Sequence, residues 1–176
     1  MKFIPTNFRE AFLIVPEPVQ DSRGFFERIY CEREFATHGI QDVFVQHSRS
    51  FSALRGTLRG MHFQKHPHAE AKVVSCANGA IHDVIVDLRP SSETFRRWQE
   101  FELSSANRHQ LYVPAGFAHG FQTLEDNSEI NYLISSFYDS SASAGVRHDD
   151  PALGIDWPLS ITVISDRDRN WPLMTV

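Results

Sequence analysis

Turn residues cut this chain into strand-length runs, and that punctuation limits its fold more than any other feature. Phe101–Leu103, Gln110–Val113 and Glu129–Ile134 are short, β-branched or aromatic, and roughly alternating, the pattern of half-buried strands. Ala80–Leu88 alternates less cleanly, as a strand covered on both faces does. Asn78-Gly79, Arg89 to Ser92, Ser104 to Asn107 and Glu125 to Asn127 lie between the runs as turns. Strands spaced about eight to twelve residues apart, with little helix between them, predict an all-β sandwich or barrel. Two helical pieces are expected: Cys31 to His38, stopped by Gly39, and a turn over Ser140 to Ala144. Pro151, Pro158 and Pro172 predict an extended or 3₁₀ tail packed on the barrel. With no repeat, low-complexity stretch or linker, residues 1–176 read as one domain.

The chain has 176 residues, 41% of them hydrophobic, enough for one core. A formal charge of −5 and a pI near 6.0 exclude non-specific nucleic-acid binding, which needs a basic face. The opening MKFIPTNFRE lacks the apolar core of a signal peptide. No run reaches the roughly 20 apolar residues of a membrane span. Cys31 and Cys76 are isolated and read as reduced thiols of a cytoplasmic protein.

Two motifs carry the chemistry. Gly60, His66, His68, position 72 and Gly79 have the spacing of the first motif of a cupin, a double-stranded β-helix or jelly-roll barrel. Pro114, Gly116 and His119 supply the second. Metal-binding barrels of this type use both early histidines, a carboxylate and the late histidine. Here the carboxylate position is Lys72. An ammonium repels a cation at short range and attracts an anion such as an enolate or phosphate. His66 and His68 flank Pro67, which suits a loop. Three imidazoles can hold Fe(II) or Zn(II), so a metal-dependent oxygenase or isomerase is the alternative that Lys72 argues against.

The other reading gathers Arg59, His62, Lys72, His119 and Tyr132 into one pocket. Residues two apart on a strand share a face, so Leu58, Gly60 and His62 point together and Arg59 points away unless a bulge intervenes. Histidine can take a carbon-bound proton, lysine or histidine can hold the oxyanion that results, and tyrosine can return a proton. Taken singly, His62 and Tyr132 are each more often ordinary core residues. Lys72, among Ala71, Val73 and Val74, is costly to bury without a partner.

Six stretches extend the pattern: Asp21 to Phe26, Gly56 to Gln64, His68 to Lys72, Asp83 to Arg89, Gln110 to Phe121 and Asp149 to Pro158. Together they resemble the dTDP-4-dehydrorhamnose 3,5-epimerase family of nucleotide-sugar enzymes. The resemblance implies a jelly-roll homodimer with exchanged N-terminal strands and catalysis without metal or organic cofactor. The reaction it implies is inversion at C3, C5 or both in a nucleoside-diphosphate 4-keto-6-deoxyhexose. It makes His62 the general base, Asp168 the carboxylate that orients it, and Tyr132 the general acid. Lys72 and His119 then lie near the keto oxygen. Arg59 and Arg23 serve the phosphates and nucleotide, Arg23 from the partner subunit, and Tyr138 stacks on the base. Phe26, Arg28, Gln46, Ser48 and Arg167 complete the implied binding set. A non-catalytic nucleotide-sugar binder is a third reading, opposed by the joint presence of His62, Asp168 and Tyr132.

Three positions depart from the family pattern. Arg28 stands where a glutamate is common, with Glu27 one residue early and on the opposite strand face. Thymine N3–H suits a carboxylate, whereas cytosine N3 suits a guanidinium. Arg28 therefore points either to a base other than thymine, such as cytosine, or to a solvated or phosphate-binding residue. Ser48 replaces an asparagine, and Leu133 replaces a lysine beside Tyr132, which bears on the tuning of Tyr132 and weakens the case for double inversion.

Overall fold

A computed structural model describes residues 1–174. The chain begins with β1 (Lys2–Pro5), β2 (Phe12–Val15), β3 (Val19–Asp21), β4 (Gly24–Phe26) and α1 (Glu32–Thr37). The barrel strands follow: β5 (Gln46–Ser52), β6 (Thr57–Gln64), β7 (Lys72–Asn78), β8 (Ala80–Asp87), β9 (Trp98–Ser104), β10 (Gln110–Val113), β11 (Phe117–Thr123) and β12 (Ser128–Ile134). β13 (Ser143–Gly145), β14 (Val163–Ile164) and α2 (Asp166–Arg169) close the series. One sheet runs β1-β2-β10-β7-β12-β5 and the other β13-β6-β11-β8-β9, with β14 beside β6. Apart from β14, which lies parallel to β6, the pairings are antiparallel. The result is the all-β jelly roll of a cupin, with two short helices at its edge.

Side-chain alternation sorts the core. Val74, Leu111, Val113 and Ile130 from one sheet meet Ile81, Ile85, Leu103 and Phe121 from the other, under Phe8. β8 is apolar on both faces for a physical reason. Ile81 and Ile85 point between the sheets, while Val84 and Val86 pack outward against Val146, Leu153 and Ile155. Asp83, fully buried, shares the inward face with Ile81 and Ile85 and is a polar exception there. The outer face of the first sheet is covered by Phe35 of α1 and by Ile40, over Val73 and Tyr112. That helix has Cys31 and His38 at its caps, and Gly39 follows at φ 81°, as the sequence predicts.

The C-terminal half differs from expectation at two points. The turn after Ser140 runs directly into β13, so Ser143 and Ala144 are extended and pair with Gln64 and Phe63. The tail is extended where β14 docks on Thr57 and Leu58, as expected, but it then turns into the α-helix α2 rather than a 3₁₀ segment. Ser165 caps that helix, accepting a hydrogen bond from the Asp168 backbone N–H at 3.1 Å. The short run Val163-Ile164 gives too little periodicity to separate it from loop.

Candidate active site

The site depends on one irregularity in the β6–β11 pairing. His119 lies opposite His62 and Phe121 opposite Arg59. Two steps on β11 therefore match three on β6, which is a bulge. The extra residue cancels the alternation, so Arg59 and His62 line the same cavity. The tension over Arg59 in the strand pattern is resolved in this way. Gly60 allows it: its φ is 134°, and a Cβ there would sit 2.5 Å from Gly120 Cα, too close for any side chain.

The cavity measures about 300 Å³ and is lined by Ser48, Arg59, His62, Lys72, His119 and Tyr132, among others. His62 Nε2 lies 2.6 Å from Asp168 Oδ1. Gly60 N–H donates to the other carboxylate oxygen at 3.2 Å, and Trp171 Nε1 donates to Oδ1 at 3.3 Å. Burial would raise the Asp168 pKa, but the hydrogen bonds from His62, Gly60 and Trp171 outweigh it, and the carboxyl lies below its ordinary value. An ionised carboxylate only accepts, so Nε2 carries the hydrogen and Nδ1 the lone pair. The Asp168 side chain is 6% exposed and the imidazole 43%, so the carboxylate is shielded and the base is open.

His119 forms a second dyad, with Nε2 2.7 Å from Asp83 Oδ2 in the barrel interior. The Tyr132 hydroxyl lies 3.0 Å from Ser50 Oγ. Burial pushes the phenol pKa well above its ordinary value, with Ser50 pulling it partly back, so it carries its proton. Lys72 Nζ pairs with Glu70 Oε1 at 2.8 Å. Arg59 donates to Ser52 Oγ at 3.1 Å and to Phe51 O at 2.8 Å. Together these groups offer a base, a proton donor and cations for an anionic oxygen or phosphate.

Several sequence-predicted residues lie elsewhere in this chain. Arg23 sits on the β3–β4 hairpin, its side chain 88% exposed and paired with Asp21. Phe26 and Arg28 line a separate cavity on the outer sheet face. The Arg28 guanidinium faces Glu34 at 3.5 Å, while Glu27 turns to Arg108 at 3.2 Å. Tyr138 is exposed, and its backbone N–H donates to Gln46 Oε1 at 2.7 Å, so these two meet beside the cavity. Arg167 donates to Ser143 Oγ at 2.7 Å and stacks 4.8 Å from the Trp171 ring. His66 and His68 sit in the turn after β6, with His68 3.5 Å from Asp139. Among the described residues no group of three or more His, Cys, Asp or Glu is arranged to hold a metal.

Sequence reasoning missed Ser50, Glu70, Asp83 and Trp171. Asp83 alone left a signal, as a carboxylate in the middle of the largely apolar Ala80–Leu88 run.

A jelly-roll barrel with a His–Asp dyad, a protonated tyrosine and a lysine around one cavity defines an acid–base isomerase of the cupin class. Residues 5–175 match the family model of dTDP-4-dehydrorhamnose 3,5-epimerase, and the chain belongs to that family. The dTDP-4-dehydrorhamnose 3,5-epimerase of Sinorhizobium fredii is 42% identical over 173 residues, covering 98% of this chain and 89% of its own. The structure of the Bacillus anthracis enzyme with TDP and PPi bound superimposes with a TM-score of 0.96 at 44% identity, over 98% of this chain and 99% of that one. The Legionella pneumophila enzyme in complex with dTDP-4-keto-L-rhamnose gives 0.92 at 35% identity, over 98% and 92%. The chain is accordingly an isomerase, an epimerase of nucleotide-linked sugars. Among the described residues no helix is long and apolar enough to cross a membrane.

Proposed function

We propose that this epimerase inverts C3 and C5 of a dTDP-linked 4-keto-6-deoxyhexose without metal or organic cofactor. The observation that carries the reading is the 2.6 Å contact of His62 with buried Asp168, in a cavity shared with Tyr132 and Lys72. The C4 ketone acidifies the neighbouring C–H. His62 Nδ1 takes that proton, and the C–H electron pair moves into an enolate. Asp168 stabilises the imidazolium that forms, as a buried carboxylate does for a catalytic histidine. The ammonium of Lys72 holds the oxygen while it is negative, with the His119–Asp83 pair beside it. Tyr132 delivers a proton to the opposite face, and the centre inverts.

Arg59 and Ser48 serve the phosphates, and Tyr138 and Gln46 the nucleotide. The family name and the ligand-bound relatives, one with TDP and one with a dTDP-linked keto sugar, support dTDP. Arg28, turned to Glu34 outside the cavity, gives no support for cytosine within one chain. We also read residues 1–176 as one domain and the protein as a cytoplasmic homodimer. The β3–β4 hairpin supports a dimer. Among the described residues it pairs only with itself, and it leaves Val19 72%, Phe25 52% and Phe26 73% exposed. A partner's hairpin would bring Arg23, Phe26 and Arg28 to this cavity, and Arg167 would lie at its rim. The free thiols of Cys31 and Cys76 suit a reducing compartment.

The test is solvent deuterium exchange into dTDP- and CDP-linked 4-keto-6-deoxyhexoses, read separately at C3 and C5. Exchange at C3 and C5 with the dTDP sugar is expected. Exchange at C3 alone narrows the reading to a 3-epimerase, and equal rates on both nucleotides remove the choice of dTDP. No exchange from wild-type protein overturns the assignment.

A further inference from the structure

Lys72 reaches the cavity with its charge already partnered. Its Nζ lies 2.8 Å from Glu70 Oε1, the two side chains being 10% and 11% exposed. Glu70 does not line the cavity. Its other oxygen, Oε2, accepts from Gln64 Nε2 at 2.8 Å. Gln64, itself buried, also donates to Phe137 O at 3.3 Å and accepts from Asp139 N–H at 2.7 Å. Those two backbone groups bracket Tyr138. An unbroken run of hydrogen bonds therefore links the ammonium to the segment that carries Tyr138.

The chemistry of the network specifies a carboxylate. A lysine is a point charge on a flexible four-carbon stem with three donors and no acceptor. Glu70 takes one donor and fixes the stem, which leaves two donors for the cavity. A donor held in place before charge develops needs no reorientation when it does. Glutamine could not replace Glu70 without conflict. Its NH₂ would face either the ammonium or Gln64 Nε2, and both are donors.

We propose that Glu70, without touching substrate, positions Lys72 for the C4 oxygen of the keto sugar and ties it through Gln64 to the Tyr138 segment. This rests on the epimerase reading above. Glu70 is a positioning residue, so it should act on turnover while sparing nucleotide binding.

Full-length E70A and E70Q test it, with circular dichroism reporting the fold and calorimetry reporting affinity for dTDP alone. The expected kcat loss is about 10²-fold for E70A, the lower end of what losing one oxyanion donor costs, and about tenfold for E70Q. Deuterium exchange at C3 should fall in step with kcat, because enolate formation is the step affected. Affinity for dTDP should stay within about threefold, since Gln64 itself still holds Phe137 O and Asp139 N–H around Tyr138 and the pyrophosphate contacts are elsewhere. The proposal is overturned if kcat of the folded variant stays within about threefold of wild type, or if dTDP affinity falls as far as kcat, the mark of a merely structural residue. If E70A does not fold, E70Q, which keeps the side-chain volume, decides alone. Wild-type protein that exchanges no deuterium overturns the epimerase reading itself, an outcome the variants cannot mimic.

Discussion

Asp168 lies 2.6 Å from His62 although 106 positions separate them in the chain. The approach is built from the tail: β14 docks on β6, Ser165 caps α2, and the first turn of that helix delivers the carboxylate under the imidazole. Asp168→Asn replaces an acceptor with a group that can present a donor to Nε2, and so disfavours the reactive tautomer. A loss of about 10²- to 10⁴-fold in kcat is expected, with folding intact. Steady-state kinetics on the dTDP-linked keto sugar measure it, and near-normal turnover would remove Asp168 from the mechanism.

Tyr132→Phe separates the two halves of the reaction. The variant keeps His62 and Lys72, so solvent deuterium should still enter the substrate. Inversion should fall by on the order of 10²-fold or more, because the second face has lost its proton donor. Nuclear magnetic resonance of recovered sugar distinguishes washout from inversion. Equal loss of both would assign Tyr132 to binding.

Arg59→Ala should weaken dTDP binding more than it slows chemistry. A charge-assisted hydrogen bond to phosphate contributes about 2 kcal/mol. Calorimetric affinity should therefore drop by about 30-fold, with kcat at saturation changed far less. An unchanged affinity would place the pyrophosphate elsewhere.

Asp87 ties stability to acid. It is fully buried and accepts bonds from Arg89, Ser92 and Thr94. Burial opposes its charge, but these donors outweigh burial and depress the carboxyl far below its ordinary 3.8. A depressed folded value gives stability that is complete above the unfolded pKa and fades as pH falls toward the folded one. Wild-type stability should therefore decline from about pH 4 downward. Asp87→Asn should lose about 3 kcal/mol at neutral pH and flatten that decline. Urea unfolding at several pH values tests both statements, and parallel curves for the two proteins would refute them.

The strand-rich architecture was legible because β-branched runs between turn residues report a local preference. Lys72 was legible as an ammonium in an apolar strand, while His62, His119 and Tyr132 were legible through their motifs and the family resemblance, His62 and Tyr132 being ordinary core residues when taken singly. Glu70 and Ser50 were not, since each looks like an ordinary surface residue until folding aims it at Lys72 or Tyr132. The direction of Arg59 was hidden too, because it depends on how β11 pairs rather than on β6. Arg23, Phe26 and Arg28 could not be assembled for a further reason: their hairpin stands away from this chain's own cavity.

Gly60→Ala should cost about 2 kcal/mol or more, since alanine disfavours the backbone there and its methyl meets Gly120. A fall in melting temperature, with disproportionate loss of activity in the folded fraction, is the expected result.

The offset between β6 and β11 also makes two duties share one backbone arrangement. If the strands slid by one position to restore regular pairing, one of the two basic side chains, the phosphate-facing guanidinium or the proton-taking imidazole, would swing outside. A slip in register therefore cannot keep both, whereas a substitution at either position leaves the bulge, and the direction of the other side chain, in place.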